Sequence, residues 1–247
     1  MNQPTPEEEK SALVARERLY SFMSRAFLQE VDNEFLRAIV EIHPAIALLA
    51  SSHRSAALQK GSGLLANFTK KVAQFKDEER ERLLADLAVE YARLFLATGL
   101  SKRGGRAYPW ESVYFTDPPR KYGEPYHEIV EAYKLVGYQK TDNSKEPEDH
   151  IAFELDLMAH LCRLTRGSIE SGNERYTLGY FSLQKQFLQD HLLRWVGKFC
   201  DNVKAYAETG FYRGMALVTE GFVSADAEAL DYWSPDGDLN GERSLSV

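Results

Sequence analysis

The chain has 247 residues and is 44% hydrophobic, enough apolar surface to bury a core in one large domain or two small ones. Thirty Lys+Arg against 37 Asp+Glu leave a formal charge of −7, which disfavours broad attraction to nucleic acid or anionic lipid and favours a basic ligand or peptide. The acidic start, Met1-Asn2-Gln3-Pro4-Thr5-Pro6-Glu7-Glu8-Glu9, lacks the basic-then-apolar pattern of a secretory signal. The longest apolar run, residues 45–50, is six residues against the roughly 20 of a membrane span, so a soluble, cytoplasmic protein is expected. Cys162 and Cys200 lie in helical patterns, not in a CxxC pair, and read as small core residues in a reducing compartment.

Thr5-Pro6-Glu7-Glu8 carries a capping residue, Pro at the first helical position and Glu at the third. Leu13, Tyr20, Met23 and Phe27 continue it as the apolar face of a first helix. Residues 33–42 predict a short helix stopped by Pro44, residues 45–60 are weakly helical, and Gly61-Ser62-Gly63 predicts a flexible break. That glycine pair is no phosphate loop, because no strand precedes it and no GK[ST] follows. From Asp77 a strong helix carries Leu84, Leu87, Tyr91, Leu94 and Phe95 and ends at Thr98-Gly99. Residues 99–123 break the helical period with Gly104-Gly105, Pro109, Pro118-Pro119 and Gly123. Within them, Tyr108-Pro109-Trp110-Glu111-Ser112-Val113-Tyr114 is either a loop pinned to the core by its own aromatics or part of a site.

Pro125 opens a helix with Tyr126, Ile129, Tyr133 and Val136 on one face and Gly137 as its stop. A polar connector over 141–145 leads to Glu146-Pro147-Glu148-Asp149-His150, where Pro147 suits a first turn. A helix is therefore expected from the acidic cluster onward, with Asp149 near its third position, Ile151, Leu155, Met158 and Cys162 on one face, and its end near Arg166. Beyond Ser171-Gly172-Asn173 a long helix carries Leu188, Leu192, Trp195, Phe199, Val203 and Tyr206 to Gly210. Phe211, Met215, Val218 and Phe222 mark a last helix, and 234–247 reads as a disordered tail. Every strong pattern has the 3.6-residue period. The fold class is therefore all-α, a single globular domain of roughly seven to ten helices over residues 1–233, with a division near residue 61 or near the long loop as the alternative.

The chemistry-bearing candidates are few. No GxSxG or HExxH occurs, and neither cysteine sits in an electropositive setting. A di-iron bundle needs two Glu-x-x-His pairs, and only Glu124-Pro125-Tyr126-His127 is present, at a helix start. No metal and no cofactor are expected. Asp149 and His150 admit two readings: groups that merely satisfy a helix start, or the polar corner of a peptide groove where carboxylates take basic side chains and aromatics take apolar ones. A helical metalloenzyme and a structural adaptor are the competing functions.

Several segments match one family in order. Tyr91-Ala92-Arg93-Leu94-Phe95 resembles its Tyr/Trp-x-x-Leu-Phe motif, and Pro109-Trp110-Glu111-Ser112-Val113-Tyr114 its Pro-Tyr/Trp-x-Ser-Val-Tyr loop. Glu146-Pro147-Glu148-Asp149-His150 resembles its Glu-Pro-x-Asp-His motif, and His191-Leu192-x-x-Trp195 with Phe211-Tyr212 its C-terminal helices. The chain thus resembles the TorD/DmsD family of cytoplasmic chaperones for molybdenum-cofactor reductases over residues 11–30 and 84–222, with 41–76 weakly matched. The resemblance implies an all-α fold without catalysis. It also implies binding of the twin-arginine leader, and often the body, of an immature reductase subunit, with delayed export and help in cofactor insertion. By position the leader would meet Tyr91, Leu94, Phe95, Pro109, Trp110, Tyr114, Gly123, Glu146, Pro147, Asp149 and His150. Nothing resembles a P-loop, so the guanine-nucleotide binding linked to some family members is not carried over, and the chain is either a monomer or a helix-exchanged dimer.

Overall fold

The computed structural model describes residues 5–96, 105–140 and 144–233. Among them are ten α-helices and one π-helical turn, and no strand. α1 (Pro6–Leu28) starts as its residues dictate: the Thr5 hydroxyl accepts the Glu8 N–H, and the Glu8 carboxylate accepts the Thr5 N–H at 2.8 Å. Its stripe of Leu13, Tyr20, Met23 and Phe27 is fully buried and lies along α7 (Ile151–Glu170), whose Ile151, Leu155 and Met158 are equally inaccessible. α10 (Gly210–Trp233) packs on α3 (Ala56–Gln74) and on α9 (Leu193–Tyr206), and α2 (Asn33–Ser52) covers α3. One buried ion pair crosses this core. Arg16 of α1 grips Asp226 of α10 through Nε at 2.5 Å and Nη2 at 2.8 Å, and the Tyr20 hydroxyl donates to the same carboxylate.

Four local expectations give way to packing. α2 does not stop before Pro44 but runs through it; Pro44 and the half-exposed Val40 one turn earlier lie on the outer side, where water can take the carbonyl that Pro44 leaves unpaired. α2 is also long and apolar enough to cross a membrane by length and composition, yet its Phe35, Leu36, Ile39, Ile46 and Ala50 are buried within the bundle. Gly61-Ser62-Gly63 is no break: α3 continues through it, and α10 comes close at Gly61. A Cβ there would lie 2.9 Å from the Val218 backbone nitrogen, and one on Gly221 of α10 would lie 2.7 Å from Leu58 Cγ. These glycines are contact points. Gly221→Ala is expected to destabilise the fold by about 1–3 kcal/mol through overpacking, read as a lower urea midpoint at unchanged slope; an unaltered midpoint would refute the close approach.

The third correction concerns the acidic cluster. α7 begins at Ile151, not at Pro147; His150 is its cap, with Nδ1 accepting the Ala152 N–H at 3.1 Å, and residues 147–149 form a turn closed by His150 N–H on the Pro147 carbonyl. Asp149 is drawn out of helical register by a distant partner described below. α7 then passes Gly167 and ends at Glu170. The fourth concerns the long C-terminal helix. α8 (Glu174–Phe187) joins α9 through a π turn at Leu188–Leu192, and α9 ends at Tyr206, before Gly210, where the buried Glu90 carboxylate accepts the Glu208 and Thr209 N–H groups.

The other elements follow the sequence closely. α4 (Asp77–Phe95) carries the expected apolar face, and its supposed end at Thr98-Gly99 lies outside the described residues, as do 141–143 of the connector and the 234–247 tail. α5 (Ser112–Phe115) is a single turn inside the irregular stretch. α6 (Glu124–Leu135) buries Pro125, Ile129 and Tyr133 and is followed by Gly137 at φ +62°. Both cysteines are free and buried, and burial pushes the Cys162 thiol up to about 12.

Candidate functional site

The site is assembled by a long-range pairing. The aromatic loop runs antiparallel to the cluster before α7: the Glu111 N–H donates to the Asp149 carbonyl at 2.9 Å, the Ile151 N–H donates to the Pro109 carbonyl at 2.8 Å, and Trp110 bridges His150. The Asp149 carboxylate accepts the Ser112 N–H at 2.9 Å, so it anchors the start of α5 rather than its own helix. Ser112 Oγ in turn accepts the Gly123 N–H at 2.9 Å. A Cβ on Gly123 would stand 3.2 Å from Ser112 Cβ, so glycine permits this close approach. Tyr114 stacks on Trp195 with centroids 5.3 Å apart and donates to the Tyr108 carbonyl.

The expected site residues divide into two tiers. Asp149 and His150 face inward, at 0% and 3% exposure, and Pro147 is buried beside them. Burial drives the His150 ring down to about 3, with the positive charges of Lys121 and Lys140 adding to the effect, so the imidazole is neutral; burial raises Asp149, opposed by its bonds to Ser112. Tyr91, Leu94 and Phe95 are core residues of α4. The Tyr91 hydroxyl donates to the Phe27 carbonyl, the Leu94 carbonyl accepts the Ala107 N–H, and Phe95 packs edge-on against Phe27. Of the others, Pro109, Trp110 and Gly123 are buried and Tyr114 and Glu146 are partly exposed; Tyr108 and Lys121, which were not expected site residues, reach solvent beside Glu146. The Glu146 carboxylate accepts Trp110 Nε1–H at 2.9 Å and lies 3.3 Å from Lys121 Nζ. With Phe95 at its floor, this set lines a cleft of about 360 Å³. Glu148 is paired to Lys140 at 2.8 Å.

Beneath the cleft lies a layer in which Asp149 is joined by two acids that sequence reasoning did not select as site residues, Glu111 and Glu154, and all three are inaccessible. Glu111 meets His191 Nδ1 at 2.9 Å, and Glu154 accepts Trp195 Nε1–H at 3.1 Å. Burial raises Glu111, with His191 opposing, and raises Glu154 strongly, with Glu111 and Asp149 reinforcing the effect. His191 sits in the π turn, a distortion that re-aims a side chain. The sequence signals were Glu111 within the loop motif and His191 and Trp195 within the C-terminal motif, none of which the residue pattern marked as a partner of the acidic cluster. A larger cavity of about 860 Å³ opens between α6, α7 and α8 over Leu157, Leu161 and Phe187; it contains none of the expected residues and meets this layer only at His191. Among the described residues no cluster of His, Cys, Asp or Glu gathers to hold a metal ion.

The structure thus sets a cleft with an aromatic wall and a carboxylate edge above a layer of buried acids on an all-helical frame. Comparison with known proteins supplies the class. The chain is 28% identical over 226 residues to a protein named chaperone protein TorD from Vibrio parahaemolyticus, covering 91% of this chain and 98% of that one. It is 27% identical to the Shewanella pealeana protein of the same name over 87% of this chain and 90% of that one. Its relatives are chaperones, and it is a chaperone rather than an enzyme. Residues 54–201 match the family described as nitrate reductase delta subunit, and the chain belongs to that family.

Proposed function

We propose that the protein is a cytoplasmic maturation chaperone that binds the twin-arginine leader and the body of an immature molybdenum-cofactor reductase subunit, delays its export and assists cofactor insertion. The leader-binding face is the Trp110–Glu146 cleft. The observation that carries this reading is the convergence of an aromatic wall and a solvent-reaching carboxylate, matching a leader whose arginines precede an apolar segment. In this reading Trp110, Tyr108 and Glu146 touch the peptide. Asp149, His150, Pro109, Pro147, Tyr114 and Gly123 position the two segments, Phe95 forms the floor, and Tyr91 and Leu94 support it from the core of α4. In this proposal residues 1–233 act as one chaperone unit, as a monomer or as a helix-exchanged dimer.

Titrating a twin-arginine leader peptide tests it. Glu146→Ala is expected to weaken binding about tenfold, the low end for a charge-assisted contact because Glu146 is partly exposed. Asp149→Ala is expected to weaken it as well by releasing Ser112. Asp149→Asn, which keeps an acceptor oxygen, restores most of the affinity. A peptide that does not bind, or binds equally well to Glu146→Ala and Trp110→Ala, refutes the assignment.

A further inference from the structure

Lys121 occupies the cleft in an unusual way. Its ammonium stands 3.3 Å from the centroid of the Trp110 ring and 3.3 Å from the Glu146 carboxylate, so one cation satisfies the aromatic face and the acid together. The indole N–H is itself tied to Glu146, which fixes the ring and the carboxylate as one unit. The backbone that follows Lys121 is constrained. Tyr122 adopts φ +61°, a left-handed conformation costly for a bulky residue, and Gly123 is bonded to Ser112. The chain therefore accepts backbone strain at the residue next to the cation. Yet Lys121 is 37% exposed, and its side chain can swing into water without burying anything new.

We propose that the Trp110 ring and the Glu146 carboxylate form a guanidinium subsite, and that Lys121 fills it in the free protein as a built-in competitor that an incoming arginine displaces. A guanidinium covers an indole face as a plane, offers two parallel N–H donors to a carboxylate and is less strongly hydrated than an ammonium, so arginine outcompetes the resident lysine where a ligand lysine would gain nothing. The subsite thus selects arginine over lysine through the exchange itself. That it receives a leader arginine rests on the function proposed above; that it receives a guanidinium does not.

Arginine amide and lysine amide are titrated into the full chain while the Trp110 indole N–H resonance, assigned through Trp110→Phe, is followed by NMR; a twin-arginine leader peptide is titrated in parallel. Arginine amide is expected to shift the Trp110 resonance, lysine amide far less. Lys121→Gln, a surface change, is expected to tighten both arginine amide and leader about fivefold, the weight of one partly exposed cation–π and ion-pair contact. Adding Glu146→Gln is expected to cancel that gain. A leader that binds the wild type while Lys121→Gln leaves its affinity unchanged or weaker overturns the displacement and spares the leader-binding function. A Trp110 resonance that arginine amide moves, in a protein that binds no leader, keeps the subsite and overturns that function. A resonance unmoved by arginine amide in both proteins overturns the subsite.

Discussion

Asp226→Ala is expected to lower the unfolding free energy by about 3–5 kcal/mol. Asp226 is buried between α1 and α10, where it receives two bonds from Arg16 and one from the Tyr20 hydroxyl. Removing it deprives the buried Arg16 guanidinium of the carboxylate that takes two of its N–H bonds, and that cost exceeds the modest net worth of the pair. The sign of the argument is checked by a second variant. Arg16→Met combined with Asp226→Leu removes both charges and fills the space, and is expected to recover most of the loss. Urea unfolding at neutral pH measures both. A loss below about 1 kcal/mol in Asp226→Ala would show that water reaches the pair and that α1 and α10 are less tightly joined than their geometry indicates.

The second large effect is on pH dependence, through His150. Its ring is neutral in the folded protein down to about 3, whereas in the unfolded chain it takes up a proton near 6.5. Between those values the unfolded state binds the extra proton, so stability is intact above 6.5, declines as the pH falls through the window, and changes no further below it. Each unit costs about 1.4 kcal/mol, or about 2 kcal/mol at pH 5. The buried acids Glu111, Asp149 and Glu154 are raised and act with the opposite sign, retaining protons in the fold that the unfolded chain has released. The contribution of His150 is isolated by difference: His150→Asn keeps a side-chain acceptor for the Ala152 N–H and removes the titration. The wild-type stability is expected to fall away from that of His150→Asn as the pH drops below 6.5. Parallel curves would mean that the imidazole is charged or solvated in the fold.

The contrast between the legible and the illegible parts of this chain follows the range of the interactions involved. The Thr5 capping box, the Pro125 helix start and the Gly137 stop are each decided within a few residues, and all stand where the residue pattern places them. Pro44 and Gly61 carry equally strong local signals, and both were overridden. Pro44 lies on an outer face that tolerates a missing hydrogen bond, and Gly61 is needed for α10 to approach α3. Asp149 is the most instructive case. Its neighbours specify an early helical position, but the Ser112 N–H, 37 residues away, claims its carboxylate and shortens α7 to a start at Ile151.

The same division runs through the site. The motif residues around Trp110, Glu146 and His150 are visible as types and in order, because aromatic and acidic residues at a helix mouth stand out from a polar connector. Which of them meets solvent is not visible, because exposure depends on what a distant segment lays over each one. The sequence by itself determined an all-α protein with buried cysteines and a net negative charge, since helical period, caps and composition are local or additive quantities. Only the tertiary structure decided that Asp149 and His150 are interior supports, that Glu111 and Glu154 join them beneath the cleft, and that Lys121 rests on Trp110. Those outcomes depend on pairing between segments far apart in the chain, and burial, which sets both protonation and access, exists only once that pairing has formed.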